Sequence, residues 1–168
     1  MVQPDEVKGK AQGCTGRKQI LIYTAVVMTA TGTWHFSAQR VASLVSEVGG
    51  LLSVLGVHRG GQRLLFLADG ACWIRQWFEG LRVAGKAMVL CWYHLHKRCR
   101  ECLSMACCGR AHREEVEREV AGLLWEGRVP EAINVLQGRR EQMKNTKALD
   151  QLIEYLKRRL PYIPNYGA

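Results

Sequence analysis

Leu64-Leu65-Phe66-Leu67-Ala68-Asp69-Gly70 is the stretch on which the fold turns. Five consecutive apolar residues that stop at an acidic residue and a glycine describe a short strand buried on both faces. Downstream, residues 71–81 set Trp73, Ile74, Trp77 and Leu81 on one side of a helix, and Ala87–Leu90 is a second buried-type run. Upstream, Val41, Leu44, Val45, Val48, Leu51, Leu52 and Leu55 recur at spacings of three and four, an amphipathic helix weakened by Gly49-Gly50. Before it, the β-branched, apolar and aromatic runs 19–28 and 33–37 flank Ala30-Thr31-Gly32 and read as a hairpin. The order hairpin, helix, strand, helix, strand predicts one sheet. The runs ending at Asp69 and Cys91 become adjacent parallel strands, the hairpin sits at the edge, and the connecting helix crosses right-handed.

Beyond Cys91 the periodicity is helical throughout. Leu95, Cys99, Cys102, Leu103 and Ala106 share a face, as do Val116, Val120, Leu123 and Leu124. A third helix starts at Pro130, the favoured first-turn position. A fourth carries Leu149, Leu152, Ile153, Leu156 and Leu160 until Pro161 and Pro164 stop it. The expected architecture is therefore an α/β core over residues 1–94 followed by an all-helical segment over 95–168, which suits a chain of 168 residues.

Charge and cysteine usage narrow the function classes. Lys and Arg number 24 against 15 acidic residues, a net +9 that suits a polyanion such as DNA. The apolar stretch Ile20–Thr31 is too short to span a bilayer, and Met1–Lys10 lacks the basic-then-apolar order of a secretory signal. The expectation is a cytoplasmic protein with no membrane partner. Seven cysteines, an odd number with several adjacent or at helical spacing, argue for reduced thiols or metal ligands over a disulfide framework.

Three groups of residues carry possible chemistry, each with a plainer alternative. Asp5 and Asp69 are read as acidic residues where a strand hands over to a loop, positions from which carboxylates converge on divalent cations. Equally, Asp69-Gly70 describes a turn, and Asp5 a solvated charge near a terminus. Cys91, His94, Cys99 and Cys102 have donor types and spacings that suit zinc. Against zinc, Cys99 and Cys102 fall on the apolar face with Leu95 and Leu103, where cysteine packs as a small hydrophobe. Lys97, Arg98, Arg100 and Arg110 can meet DNA phosphates or form a solvated helix face. Trp73, Trp77, Trp92 and Tyr93 can stack on bases or fill a core.

Asp69-Gly70-Ala71-Cys72-Trp73-Ile74, followed by Val89-Leu90-Cys91-Trp92-Tyr93-His94-Leu95, resembles a group of bacterial insertion-sequence transposases of the DDE class. Those proteins carry Asp-Gly-Ala-x-Trp-Ile at a strand end and then Leu-Asp-x-Tyr/Phe-His-Leu. Leu124-Trp125-Glu126-Gly127-Arg128-Val129 and Tyr162-Ile163-Pro164-Asn165-Tyr166 look like the helical insertion of the same group. The resemblance implies a ribonuclease-H-like mixed sheet with a helical insertion, and DNA strand cleavage and transfer with Mg²⁺ or Mn²⁺. Asp5, in Pro4-Asp5-Glu6-Val7, matches the first catalytic and metal-binding Asp, and Asp69 the second. His94 belongs to the later motif, where Cys91 stands at a position that is Asp or Cys in relatives. The final Glu of the group has no counterpart before Tyr166-Gly167-Ala168, and Met1 closely precedes Asp5. The resemblance thus implies a fragment shortened at both ends and inactive in cleavage. Its Leu149, Leu152, Ile153 and Leu156 face would lack a packing partner and favour self-association. The alternative is a basic, zinc-stabilised nucleic-acid-binding module.

Overall fold

The computed structural model describes residues 1–10, 19–59 and 62–168. Among these, a five-stranded mixed sheet and six α-helices make two compact units, Met1–Val89 and Leu90–Ala168. The division falls between Val89 and Leu90, where the sequence reading placed it after His94. Leu90 and Leu95 are both buried in the helical core, which draws the end of the last strand into the second unit.

In the first unit the strands are β1 (Val2–Lys10), β2 (Gln19–Met28), β3 (Thr33–Ala38), β4 (Leu64–Ala68) and β5 (Lys86–Leu90), ordered β3-β2-β1-β4-β5. The β2–β3 hairpin forms with Met28 opposite Thr33 and Val26 opposite His35, at the sheet edge as expected. The strand expected to end at Asp5 instead continues to Lys10, although Pro4, Asp5, Glu6 and Lys8 have little strand preference of their own. Two neighbours hold it. β1 runs antiparallel to β2, with Val2 opposite Val27 and Asp5 opposite Thr24, and parallel to β4, with Val2 beside Phe66. β5 is the neighbour of β4. The Leu64 amide donates to the Gly85 carbonyl at 3.3 Å, so the two strands begin side by side, as strands joined by a helical crossover do.

Helices α1 (Val41–Val54) and α2 (Cys72–Gly80) bury Leu44, Val48 and Leu52, and Ile74 and Trp77, respectively. Val2, Ala25, Val27 and Phe66 form the buried sheet face, and the Phe66 ring meets Trp77 edge-on at 5.0 Å. The other face is not sealed: Val7 is 48 % exposed, Ile20 38 % and Leu65 36 %. β4 therefore departs from the expected strand buried on both sides. Leu64, Phe66 and Ala68 are buried, while Leu65 lies open on the alternate face.

The second unit packs α3 (Trp92–Ala106), α4 (Arg110–Trp125), α5 (Val129–Gly138) and α6 (Thr146–Arg159) around one apolar core. α3 buries the face its periodicity predicts, Leu95, Cys99, Cys102, Leu103 and Ala106, whereas Leu160, expected on the α6 face, lies past the end of α6 and is 44 % exposed. Pro130 lies in the first turn of α5, and the Asn145 side chain caps α6 by accepting from the Ala148 amide at 3.1 Å. The α6 face expected to be bare is covered. Leu149, Leu152 and Leu156 are fully buried and Ile153 nearly so, because α3 and α5 close over them without help from a further helix.

The motif residues at the two ends of the helical segment meet each other. Tyr166 donates its amide to the Trp125 carbonyl at 2.8 Å, and the two rings stack at 5.7 Å. Trp92 approaches Trp125 at 5.0 Å, and the Tyr166 hydroxyl donates to the Leu90 carbonyl at 2.7 Å. Gly127 turns the chain at φ +75°, and a Cβ there would lie 2.9 Å from the Asn165 nitrogen. Only glycine combines that backbone with that approach.

Candidate functional site

The register of β1 against β4 decides where the two acidic residues lie. Val2 pairs with Phe66 on parallel strands, so three residues further along each chain Asp5 on β1 comes level with Asp69, just past the end of β4. Strand alternation turns Asp5 away from the face that carries Val2 and Phe66. Asp5 does not sit at a strand-to-loop boundary, as the sequence reading had it. It lies inside β1, which continues to Lys10. Asp69 follows the last residue of β4 directly.

Backbone amides orient both carboxylates. Asp5 Oδ1 accepts from the Glu6 amide at 2.7 Å. Asp69 Oδ1 accepts from the Ala71 amide, also at 2.7 Å, across Gly70 at φ +90°. This second bond is the turn that the Asp-Gly pair predicted, and it leads directly into α2 at Cys72. The turn and the functional reading are therefore compatible, since one carboxylate oxygen holds the loop and the other remains as a hard donor. Oxygen donors of this kind suit Mg²⁺ or Mn²⁺. Among the described residues, no group of three or more His, Cys, Asp or Glu side chains is placed to share one metal ion.

The aromatic residues of α2 are packing elements. Trp73 meets Tyr23 edge-on at 5.4 Å and stacks on Trp77 at 6.3 Å, and Trp77 is 7 % exposed. Trp92 belongs to the Trp125 and Tyr166 cluster, while Tyr93 stands 65 % exposed on α3.

The later motif lies at the start of α3. The Cys91 carbonyl accepts from the Leu95 amide at 3.0 Å and so opens the helix, and the Tyr93 and His94 rings meet edge-on at 5.3 Å. His94 Nδ1 is buried and no hydrogen-bond partner faces it among the described residues. Cys99 and Cys102 are core side chains, 2 % and 0 % exposed. Burial pushes the Cys99 thiol up to about 12, helped by the neighbouring Cys102 and Glu117, so it is a neutral thiol at physiological pH. The Cys102 thiol is raised as well, by burial. The four residues of the zinc alternative thus divide, with Cys99 and Cys102 acting as small hydrophobes.

The basic candidates divide too. Arg100 donates through Nε to Glu117 Oε1 at 2.8 Å, and His96 Nε2 lies 3.1 Å from the same oxygen. Arg113 approaches the other oxygen of Glu117 at 3.9 Å. Glu117 is 7 % exposed, so these three partners hold a buried carboxylate. Sequence reading missed it, since Glu117 sits amid the charges of α4 and only its position one residue from Val116 marks it as inward. Lys97 and Arg98 stand exposed on α3, with Arg98 3.7 Å from Glu101. Among the described residues no helix is long and apolar enough to cross a membrane. Compared with protein-family models, curated proteins and solved structures, the chain finds no match.

Proposed function

We propose that this chain is part of a DNA transposase of the DDE class, in which Asp5 and Asp69 hold a divalent cation for phosphodiester chemistry. The observation that carries the reading is the β1–β4 register, which brings Asp5 on β1 level with Asp69 just past the end of β4. Three antiparallel strands continued by two joined through a helical crossover also support a ribonuclease-H-like core. So do the motif residues, since Asp69-Gly70-Ala71 forms the strand-to-helix turn and Trp125 and Gly127 meet Asn165 and Tyr166. A bound Mg²⁺ would supply positive charge beside a scissile phosphate. The chain's own contribution is orientation: the Glu6 and Ala71 amides fix one oxygen of each carboxylate. Two carboxylates form a partial set for a two-ion site, so strand cleavage by these 168 residues is expected to be very slow or absent.

Calorimetric titration with Mn²⁺ tests the assignment, because it reads the cation independently of cleavage. Wild-type chain should bind about one ion, and Asp5→Asn and Asp69→Asn should each weaken binding at least tenfold, roughly 1.4 kcal/mol. Equal Mn²⁺ binding by wild type and both variants would overturn the reading. Asparagine keeps the shape of the side chain and its capacity to accept the amide bond, so the comparison does not turn on folding.

A further inference from the structure

We infer that the open groove between α3 and α6 is a docking surface for the phosphodiester backbone of duplex DNA, an inference that rests on the transposase reading only for the choice of DNA as the polyanion. The groove has a volume of about 560 Å³, and its basic lining comprises Arg98 from α3 with Lys147, Arg158 and Arg159 from α6. Its acidic lining is Asp150 and Glu154, and each has a basic partner outside the groove. Arg140 grips both oxygens of Asp150 and holds its carboxyl below the usual carboxylate range. Lys157 lies 3.3 Å from Glu154. The groove therefore keeps an excess of positive charge.

The α4 and α5 surface of the same unit is different. Arg110 bonds Glu114, Arg128 bonds Glu126 and Glu131, and Arg139 bonds Glu115 and Glu119, so these three cations are matched by carboxylates. In the groove, the acidic contacts of Arg98 and Arg158 are long, at 3.7 Å to Glu101 and 4.0 Å to Glu154. The Arg159 guanidinium lies over the Tyr155 ring at 5.7 Å, a contact that steadies it in the groove wall. Lys147 and Arg158 stand at opposite ends of one α6 face. Eleven residues separate them, so at about 1.5 Å per residue the charged row runs roughly 16 Å, enough to meet several successive phosphates of one strand. A rigid helix presents its cations at fixed spacing, which suits a regular duplex.

Fluorescence anisotropy with a short labelled duplex, in EDTA and over a salt series, tests the groove. EDTA removes divalent cations, so this result stands whether or not Asp5 and Asp69 bind metal. The double variant Lys147→Gln/Arg158→Gln should flatten the plot of log affinity against log salt by about 1.8, at about 0.9 per lost phosphate contact. Arg110→Gln/Arg128→Gln removes the same charge from the matched surface and should leave the slope unchanged. Equal losses in the two double variants would overturn the groove as the docking surface, as would an unaltered slope in the first or no binding by wild type. Tighter binding to duplex RNA than to DNA would overturn the choice of nucleic acid. All four substituted residues are exposed, and a far-UV spectrum matching wild type confirms that each variant compared is folded.

Discussion

Asp5 and Asp69 of the first unit are held differently from the carboxylates of the second. In Met1–Val89, Asp5 and Asp69 are bonded by backbone amides on a strand and at a strand end, and they lie level on parallel neighbours. In Leu90–Ala168, Glu114, Glu115, Glu117, Glu119 and Asp150 are each held by arginine side chains. An amide bond fixes a carboxylate in place while leaving its full charge for a cation, whereas an arginine cancels the charge. The first arrangement suits chemistry, and the second suits a stable surface. The difference separates two roles for acidic residues that composition alone cannot distinguish.

The contrast is open to attack first at the helical core. Leu152→Ala removes a fully buried side chain from the centre of the second unit. Urea unfolding should show a loss of about 2–5 kcal/mol in that unit. A loss below about 1 kcal/mol would mean that the core is loosely packed and that α6 does not organise it.

A sharper test concerns Glu117, the one charged residue buried among the described side chains. Glu117→Ala strands the cations of Arg100 and Arg113 and removes the carboxylate beside His96. It should cost about 1–3 kcal/mol, a range set low because Arg100 is 60 % exposed. Arg110→Ala removes an ion pair of similar length from a fully exposed site and should leave the midpoint where it is. If both variants behaved alike, burial would not distinguish the Glu117 cluster from the surface pairs.

The smallest effect at neutral pH belongs to Cys99. Its folded thiol titrates near 12, above its ordinary value of 9.0, so the unfolded state ionises first. The contribution to stability is complete below pH 9 and is lost as pH rises from 9 towards about 12. Thiol labelling at pH 8 reads the same environment. Exposed Cys72 and Cys108 should react fast, with Cys99 and Cys102 protected until the unit unfolds. Rapid labelling of Cys99 in the folded protein would contradict its place in the core. Cys14 lies outside the described residues.

Periodicity was a good guide wherever a segment buries a face of its own. The spacing of Leu149, Leu152, Ile153 and Leu156 predicted α6, and the shared face of Leu95, Cys99, Cys102 and Leu103 predicted both α3 and the packing of its cysteines. It was a poor guide for β1. Val2-Gln3-Pro4-Asp5-Glu6-Val7 has too few apolar residues to show that the strand runs on past Asp5, and its conformation comes from ladder bonds to β2 and β4. The Asp-Gly turn was legible because its geometry is local, three residues closed by one side-chain bond.

The sequence by itself determined the order of most elements, the division into an α/β part and a helical part, the excess of basic charge, and the identity of the two acidic residues worth examining. Those properties depend on side-chain pattern within a window of a dozen residues. Only the tertiary structure decided that Asp5 stands level with Asp69, that Arg100 bonds Glu117, and that the α6 face is covered. The physical reason is the same in each case. Pairing between residues distant in the chain depends on strand register and helix packing, and a one-residue slip of β1 against β4 would send Asp5 to the opposite face of the sheet.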